Sequence, residues 1–236
     1  MTAVVEPPVA RLAALPGVST ASRVAAQADQ ARVTGRVLPV APALAGLLPA
    51  GGLRRGTTVA VHGSSSLLLA LLAEATAAGS WAAVVGLPSL GLAAAAEYGV
   101  DVGRLALVPR PGADLPAVLA ALLDGVDLVV ASTSTIQPAV ARRLSARARH
   151  RSAVLLAFGA WPGADVELSC RLEPWSGLED GYGHLRQRQA LVRARGRGAA
   201  ARPVSAQLWL PGRDGSLRSA AASRLAPVAS LREETA

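Results

Sequence analysis

Short apolar runs alternate with longer amphipathic segments between residues 57 and 158 of the chain. Apolar runs without polar alternation are typical of strands that are buried on both faces of a parallel sheet. The segments between them have the periodicity of helices. The predicted strands are 58–61, 82–85, 105–108, 128–131 and 154–158, and the predicted helices are 66–78, 90–98, 115–123 and 136–149. The pattern therefore predicts an α/β fold with a mostly parallel, twisted sheet and helices on both faces.

The pattern is different at the two ends of the chain. After Asp165, the segments ELSCRLEP, HLRQRQALVRAR and SAQLWLPGRDG predict three exposed strands that extend the sheet in an antiparallel manner. From Ser216 the composition predicts a flexible tail. Before residue 46, Ala-rich helical segments precede a Pro-rich linker, which predicts an arm outside the core that could dock a partner. The expected parts are an arm and linker over 1–45, a core over 46–215 and a tail over 216–236.

Composition limits the class of protein. Apolar residues make up 51% of the 236 residues, enough for one sizeable α/β domain with a small appendage. No apolar run reaches the ~18 residues that cross a bilayer, and the N-terminus lacks the basic segment of a signal peptide. The single cysteine, Cys170, excludes an internal disulfide framework and is expected to be buried and inert. We therefore expect a cytoplasmic protein that does not contact a membrane.

The net charge is +8, and all 24 basic residues are Arg, so the chain contains no Lys. Heavy use of Ala, Arg, Gly and Pro indicates a GC-rich genome, in which Arg partly replaces Lys through codon drift. Replacement of Lys by Arg does not account for the excess of basic over acidic residues, and this excess favours an anionic partner.

The stretch VHGSSSLLLALLAE lies where a phosphate loop would join the first core strand to a helix. A Walker loop, GxxxxGK[ST], wraps phosphates in backbone N–H groups, neutralises them with Lys and holds Mg²⁺ with a hydroxyl. Here only the first glycine is in place, and a chain without Lys cannot supply the ammonium group. The degenerate loop comprises Gly63, Ser64, Ser65 and Ser66. We expect no bound nucleotide cofactor.

The carboxylates that phosphoryl transfer requires are also missing. The predicted strand 128–131 ends in Ala131, so it offers no carboxylate to Mg²⁺, and the segment VVGLPSL after the second strand contains no general base. Positioning and charge neutralisation supply almost all of this catalysis. Three His and one Cys cannot form a nucleophile–base constellation or a metal site, and His62 has no clustered carboxylate. We assign no catalytic or metal-ligating residue and predict that the chain is not an enzyme.

The order of these segments resembles the core of the RecA recombinases. LAGLLPAGGLRRGTTVAVHG is similar to the lead-in to their ATP site, YGVDVGRL to a recurrent turn, and VDLVVAST to their metal-binding strand. ELSCRLEP and ARPVSAQLWLPGRDG resemble their late strands, so the similarity covers about 44–215. The departures lie at the ATP site: Ala131 stands where the Mg²⁺-orienting Asp is expected, and Leu87 lies near the position of the catalytic Glu.

A shortened RecA-like chain without an ATP site is similar to the ImuA′ family of SOS-mutagenesis accessory proteins. The resemblance implies a non-enzymatic factor that binds ImuB, a catalytically inactive relative of the Y-family polymerases. It also implies an error-prone replicative-type DNA polymerase as a partner in damage-induced translesion synthesis. An N-terminal segment bridges neighbouring subunits in RecA, so an oligomer is a further implication.

Two other functions stay open. One is a cell-division inhibitor of the SulA type, which has the same degenerate RecA-like ancestry and binds a cytoskeletal GTPase. The other is a DNA-binding recombination mediator that acts alone. A polymerase-like gene beside the coding gene would favour the ImuA′ hypothesis over SulA, and salt-sensitive binding to single-stranded DNA would favour the mediator.

Two arginine clusters are candidates for contact with DNA or with an acidic protein. In ARRLSARARHRS, every fourth residue from Arg143 is Arg and would share one helix face, although a solvated outer helix is the alternative. In HLRQRQALVRARGRGAAARP, arginines alternate as along a strand, where they could follow a phosphate backbone, with Tyr182 and His184 nearby for base stacking. The candidate contact residues are Arg142, Arg143, Arg147, Arg186, Arg188, Arg193, Arg195 and Arg197.

The four tryptophan side chains are expected to pack against other parts of the chain. Trp81 begins a predicted strand and Trp209 lies in one, which favours the core for both. Trp161 and Trp175 lie in loops beside Pro and Gly, where packing over the sheet edge is expected and an anchor for a partner is the alternative.

Overall fold

The computed structural model describes residues 35–179, 182–220 and 226–227. Most of the predicted N-terminal arm and most of the predicted tail lie outside these residues. Strand β1 (Val37–Leu38) pairs antiparallel with β2 (Leu53–Arg54), and the short helix α1 (Pro42–Ala45) lies between them. Because Leu38 and Leu44 are buried in the main core, the core begins before the predicted boundary at residue 46. Apolar residues between the prolines supply the buried surface that this packing requires.

The central elements follow the predicted order. They are β3 (Thr58–His62), α2 (Ser65–Ala77), β4 (Ala82–Val85), α3 (Leu92–Glu97), β5 (Leu105–Val108), α4 (Leu115–Gly125), β6 (Leu128–Ser132), α5 (Pro138–Arg151) and β7 (Val154–Phe158). The five predicted strands of this region are confirmed to within one residue, and the four predicted helices to within two. The apolar runs identified the strands because strands β3, β4, β6 and β7 have helices on both sides and are almost fully buried.

The remaining strands are β8 (Val166–Glu179), β9 (Tyr182–Gly196), β10 (Val204–Trp209), β11 (Arg218–Ser219) and β12 (Ala226–Pro227). The sheet has the order β11-β10-β9-β8-β3-β7-β6-β4-β5, and β12 also pairs with β10. The strands from β8 to β5 in this order run parallel, whereas β9 to β12 add to β8 in antiparallel fashion. The predicted α/β class, mostly parallel sheet and antiparallel extension are confirmed.

Alternate side chains of β3 enter two cores on opposite faces of the sheet. Val59 and Val61 belong to a core with α2, whereas Ala60 belongs to a core with α4 and α5. The antiparallel strands were predicted to be exposed, which is wrong for one face, because Leu168, Val192 and Leu208 are all buried. On the opposite face of these strands, Ser169, Arg171 and Arg193 are exposed.

Strands β8 and β9 extend beyond the ends of the strands that pair with them on either side. The pairing of β3 with β8 ends at Ser169, and that of β10 with β9 ends at Gln189. Beyond these points β8 and β9 pair with each other as far as Glu179 and Tyr182, with two register shifts on the way. Residues 173–179 and 182–188 therefore form a two-stranded projection, which we call the ribbon.

The structure corrects two further expectations. Trp81 was expected in the core, but it is 48% exposed and Arg104 stacks on its indole ring. The tail was predicted to begin at Ser216, but Arg218–Ser219 pairs with Leu208 and Trp209, so the sheet extends past that boundary. Trp161 is buried, as expected, and donates its indole N–H to Ser145 at 2.9 Å. None of the helices in the described part of the chain is long and apolar enough to cross a bilayer.

Candidate functional site

The degenerate phosphate loop is a two-residue connection. Strand β3 ends at His62 and α2 begins at Ser65, so only Gly63 and Ser64 lie between them. The Ser64 hydroxyl accepts the backbone N–H of Leu67 at 3.2 Å and caps the helix. One of the donors that would face a phosphate at a helix N-terminus is therefore already satisfied within the chain.

The backbone of β8 lies directly against this loop. Gly63 has a φ of +86°, and a Cβ atom at this position would lie 2.3 Å from the Cys170 carbonyl oxygen. Cys170 itself is buried, and this burial raises the pKa of its thiol. The predicted buried and inert cysteine is thus in contact with the loop.

The first residues of α2 after the loop are part of the hydrophobic core. Leu67, Leu68 and Leu69 are between 0% and 3% exposed and pack in the core on the α2 face. Ala131, at the end of β6, is fully buried, and Leu87 is partly buried against the same core as α2. Within the described residues, no group of three or more His, Cys, Asp or Glu side chains could hold a metal ion.

The arginines of α5 separate onto two sides of the helix. Arg147 donates from Nε to Asp124 Oδ1 on α4 at 2.8 Å and also contacts Oδ2, while Arg151 Nε donates to Oδ1 at 3.0 Å. These two side chains therefore join α5 to α4 across an exposed carboxylate. Arg142 and Arg149 lie on the other side of the helix, where both line a hollow of about 420 Å³. Arg143 is exposed.

Four candidate arginines lie on β9 and a fifth, Arg197, directly follows it, and they do not form one surface. Arg186 and Arg188 have the same parity along the strand as the buried Ala190 and Val192, whereas Arg193 has the opposite parity. Arg188 lies 4.6 Å from the centre of the Trp175 ring and donates to the Leu210 carbonyl at 3.4 Å. Its guanidinium therefore supports the base of the ribbon, and Arg186 and Arg188 lie on a different face of the strand from Arg193.

Arg193 and Arg195 line a groove on the uncovered face of the sheet. The groove has a volume of about 690 Å³, and its lining includes His62, Trp161, Pro162, Gly163, Glu167, Ser169, Arg193, Arg195 and Pro203. His62 pairs in register with Ser169, and Ser169 with Arg193, so the three side chains form one row across the sheet. Pro162 and Gly163 also line the hollow beside α5, so the groove and the hollow adjoin.

Asp165 connects the two arginine clusters at this junction. Its Oδ1 lies 3.4 Å from Arg197 Nη2 and 3.8 Å from Arg149 Nη2, and its Oδ2 accepts the Thr58 N–H at 2.9 Å. We call the resulting surface the basic tract; it comprises Arg142, Arg149, Arg193, Arg195 and Arg197. The tract carries five guanidinium groups and two bound carboxylates, those of Asp165 and Glu167.

Not all of this charge is neutralised. Arg195 pairs with Glu167 at 2.7 Å, whereas Arg142 and Arg193 have no ion-pair partner among the described residues. The sequence pattern does not indicate Asp165, Glu167 or Ser169, because their role depends on which strands are neighbours. No local motif marks them.

The similarity to known proteins lies mainly in the part of the chain that forms the parallel strands and their helices. A family model described as the MT3502 N-terminal domain matches residues 46–163, half of the chain. The chain is also 45% identical over 131 residues to "Uncharacterized protein Rv3395c" of Mycobacterium tuberculosis (strain ATCC 25618 / H37Rv), and the alignment covers 53% of this chain and 64% of that protein. The chain thus matches less than two thirds of the length of that relative.

The matched family region includes the degenerate loop and the α5 arginines, whereas the ribbon and the β9 arginines lie after it. The chain belongs to the family of the MT3502 N-terminal domain.

Proposed function

We propose that this chain is a RecA-like protein without a nucleotide site, which acts as a non-catalytic accessory factor by binding other macromolecules. The observation that carries the proposal is the two-residue connection between β3 and α2. Gly63 packs against the Cys170 backbone and Ser64 caps α2, which leaves little backbone to wrap a triphosphate in the manner of a Walker loop. A protein that does not turn over nucleotide exerts its function through its surfaces.

Two features support the RecA-like part of the proposal. Strand β3 lies inside the sheet, with the other parallel strands on both sides of it and the antiparallel extension beyond β8. The leucines Leu67, Leu68 and Leu69 at the start of α2 are buried in the core, so this part of α2 is held by packing within the chain. The core therefore does not depend on a ligand for stability.

The ImuA′ resemblance suggests the process in which the chain acts. We propose damage-induced mutagenesis in the cytoplasm, with an ImuB-type inactive Y-family polymerase as the direct partner. The complex would support translesion synthesis by an error-prone replicative-type polymerase. Binding without catalysis agrees with a partner that is itself catalytically inactive, since both would then act by assembling the active polymerase.

Co-purification tests the proposal directly. The full chain is mixed with the ImuB-type protein of the same organism and, separately, with the cytoskeletal GTPase of cell division. We expect a stable complex with the ImuB-type protein and unchanged assembly of the GTPase. Loss of the coding gene should also lower the frequency of damage-induced mutations. Inhibited GTPase assembly without an ImuB complex would instead establish the SulA-type function.

The basic tract favours a second candidate, a DNA-binding mediator that acts alone. Arg142 and Arg193 are free of carboxylate partners within the described residues, and Asp165 holds the two clusters side by side. Residues two apart on one face of a strand lie about 6.6 Å apart, an interval at which successive guanidinium groups can meet successive phosphates. The tract can thus follow a phosphate backbone without reading bases.

The salt dependence of DNA binding tests this second candidate. Binding of a labelled single-stranded oligonucleotide is measured by fluorescence anisotropy over a range of salt concentrations. We expect Arg193→Gln to reduce the slope of log K against log salt by about 0.7, the value for one contact with a single strand. Arg143→Gln is the matched control, because Arg143 is exposed on α5 but does not line the tract. Equal slopes in both variants, or no binding at low salt, would remove this candidate.

A further inference from the structure

The groove beside β3 has apolar walls. Its lining includes Trp161, Pro162 and Pro203, and both prolines are exposed. Trp161 donates its indole N–H to Ser145, so this side chain brings no unpaired polar atom to the groove. The volume of about 690 Å³ lies within the roughly 300–1,000 Å³ of clefts that bind ligands, and mainly apolar walls with a few polar groups are typical of such clefts.

The groove presents one guanidinium group that is not neutralised. With His62 counted as neutral, the charged residues of its lining are Arg193, Arg195 and Glu167. Both Nε and Nη2 of Arg195 contact Glu167 Oε2, at 2.9 and 2.7 Å, so these two charges offset each other. Arg193 is exposed and has no ion-pair partner in the described part of the chain. A carboxylate from another molecule can therefore pair with Arg193 without displacing an existing partner.

The groove continues into two further depressions. It adjoins the hollow beside α5 through Pro162 and Gly163. Through Ser169 and Arg193 it adjoins a smaller hollow of about 170 Å³, which Leu191 also lines. Small-molecule sites enclose about 70–90% of their ligand, whereas these connected depressions lie on a sheet face where Ser169 and Arg193 are exposed. Their shape favours a chain that passes along them over a compact molecule.

The chemistry of the groove favours a polypeptide over a nucleic acid. Trp161 is 3% exposed, so no base can stack on its indole in the way that single-strand binders usually employ. A nucleic acid also brings one phosphate charge per nucleotide, whereas Arg193 supplies the one unneutralised charge among the described residues that line the groove. A peptide segment that carries a single carboxylate beside an apolar side chain is complementary to both the charge and the walls.

We propose that this groove is the docking site of the protein partner and receives an extended segment in which an Asp or Glu lies next to an apolar residue. The inference rests on the accessory function proposed above, and it names the surface that the ImuB-type protein contacts. The carboxylate of the segment pairs with Arg193 and accepts a hydrogen bond from the hydroxyl of Ser169, which lies in register with Arg193. The apolar side chain packs against Pro162 and Pro203.

Photo-crosslinking of the full chain to the ImuB-type protein of the same organism identifies the occupant. The photoreactive residue p-benzoylphenylalanine replaces Pro203 at the groove or, as the matched control, Pro88, which is also exposed but lies between β4 and α3. After irradiation, mass spectrometry maps the crosslinked peptide. We expect the probe at position 203 to label one segment of the partner that contains Asp or Glu beside an apolar residue, and the probe at position 88 not to label it.

Charge reversal tests the role of Arg193. We expect Arg193→Glu to raise the dissociation constant of the complex at least about tenfold, and Arg193→Gln to raise it less. Arg143→Glu is the matched control and should leave the dissociation constant nearly unchanged, because it reverses the charge of an exposed arginine that does not line the groove. Substitution of Arg for the labelled carboxylate of the partner should restore binding to Arg193→Glu. Circular dichroism shows whether each variant retains the fold.

The outcomes separate this inference from the accessory function on which it rests. A complex with the same affinity in Arg193→Glu, or a crosslinked segment without a carboxylate, overturns the inference and leaves the accessory function standing. The absence of any complex overturns both. If Arg193→Glu weakens the binding of a labelled single-stranded oligonucleotide but not of the partner, the groove belongs to nucleic acid and the inference is wrong.

Discussion

Gly63 lies so close to Cys170 that a Cβ atom on the glycine would be 2.3 Å from the cysteine carbonyl oxygen. The loop that follows β3 is therefore packed against the backbone of β8. In a Walker loop the corresponding N–H groups face phosphate oxygens, whereas here a main-chain carbonyl takes up space beside the loop. Because the contact is between main-chain atoms, no change of side-chain rotamer can relieve it.

This contact makes the glycine at position 63 necessary for stability. We expect Gly63→Ala to lower the free energy of unfolding by more than the about 1–3 kcal/mol that a left-handed backbone costs a non-glycine residue, because the methyl group also collides with the Cys170 carbonyl. Gly99→Ala is the control: Gly99 has a φ of +87°, close to the +86° of Gly63, but a methyl group there meets its nearest atom at 3.9 Å. Urea denaturation measures both variants. Equal losses would show that the contact contributes nothing.

The absence of nucleotide binding is the second prediction. A ligand present at 100 times its dissociation constant stabilises a protein by about 2.7 kcal/mol, which moves the melting temperature by several degrees. We expect no change when ATP and Mg²⁺ are added to the full chain. The RecA of the same organism, which has a complete Walker loop, serves as the positive control. A melting temperature that rises with ATP concentration, or nucleotide bound beside Gly63 in soaked crystals, would contradict the proposed loss of the site.

The sequence was sufficient for the parallel strands but not for the candidate site. Strands β3 and β7 are buried on both faces, so their sequences are continuous apolar runs without polar alternation. Such runs are easily distinguished from helices and loops. The basic tract depends instead on Asp165, which contacts Arg149 of α5 and Arg197, the residue directly after β9. Such a contact follows from the order of strands in the sheet, and the local sequence carries no signal for it.

Trp81 was misassigned for a related reason. Its position at the start of β4 indicated the core, because strand residues in a parallel sheet are usually covered by helices. The residue lies one position before the strand, however, and its side chain is 48% exposed, with Arg104 over the indole ring. Strand boundaries are the least certain part of a pattern, and a shift of one residue changes a core position into a surface position.

The reactivity of Cys170 provides the third prediction. Burial raises the pKa of its thiol, so less thiolate is present at neutral pH, and the thiolate is the form that reacts. We expect iodoacetamide to alkylate the folded chain much more slowly than the chain in urea, and because Cys170 is the single cysteine, the modified site is unambiguous. The free energy of unfolding should fall as the pH rises above the pKa of the unfolded thiol, since only the unfolded chain then ionises readily. Equal alkylation rates in both states would contradict the buried position.

The ion pairs between α5 and α4 give the fourth prediction. The hydrogen bond from Arg147, assisted by the charges of Arg147 and Arg151, holds the pKa of Asp124 below its ordinary value, against a smaller opposing effect of desolvation. Because the folded pKa is the lower one, the stability contributed by Asp124 is present above the pKa of an unfolded Asp, about 3.9, and is lost as the pH falls through the folded value.

Substitution of one arginine separates this pairing from a role in nucleic-acid binding. In Arg147→Gln, carboxyl NMR should show the pKa of Asp124 moving back towards the ordinary value, while the salt dependence of DNA binding stays unchanged. Arg143→Gln, on the same helix and exposed, should alter neither quantity. If Arg147→Gln instead weakened DNA binding and left the Asp124 titration unchanged, Arg147 would belong to the nucleic-acid surface, as the four-residue spacing of the arginines first indicated. The geometry favours the structural role, because the Nε and Nη2 donors of Arg147 already bind the Asp124 carboxylate, whose negative charge opposes the approach of a phosphate.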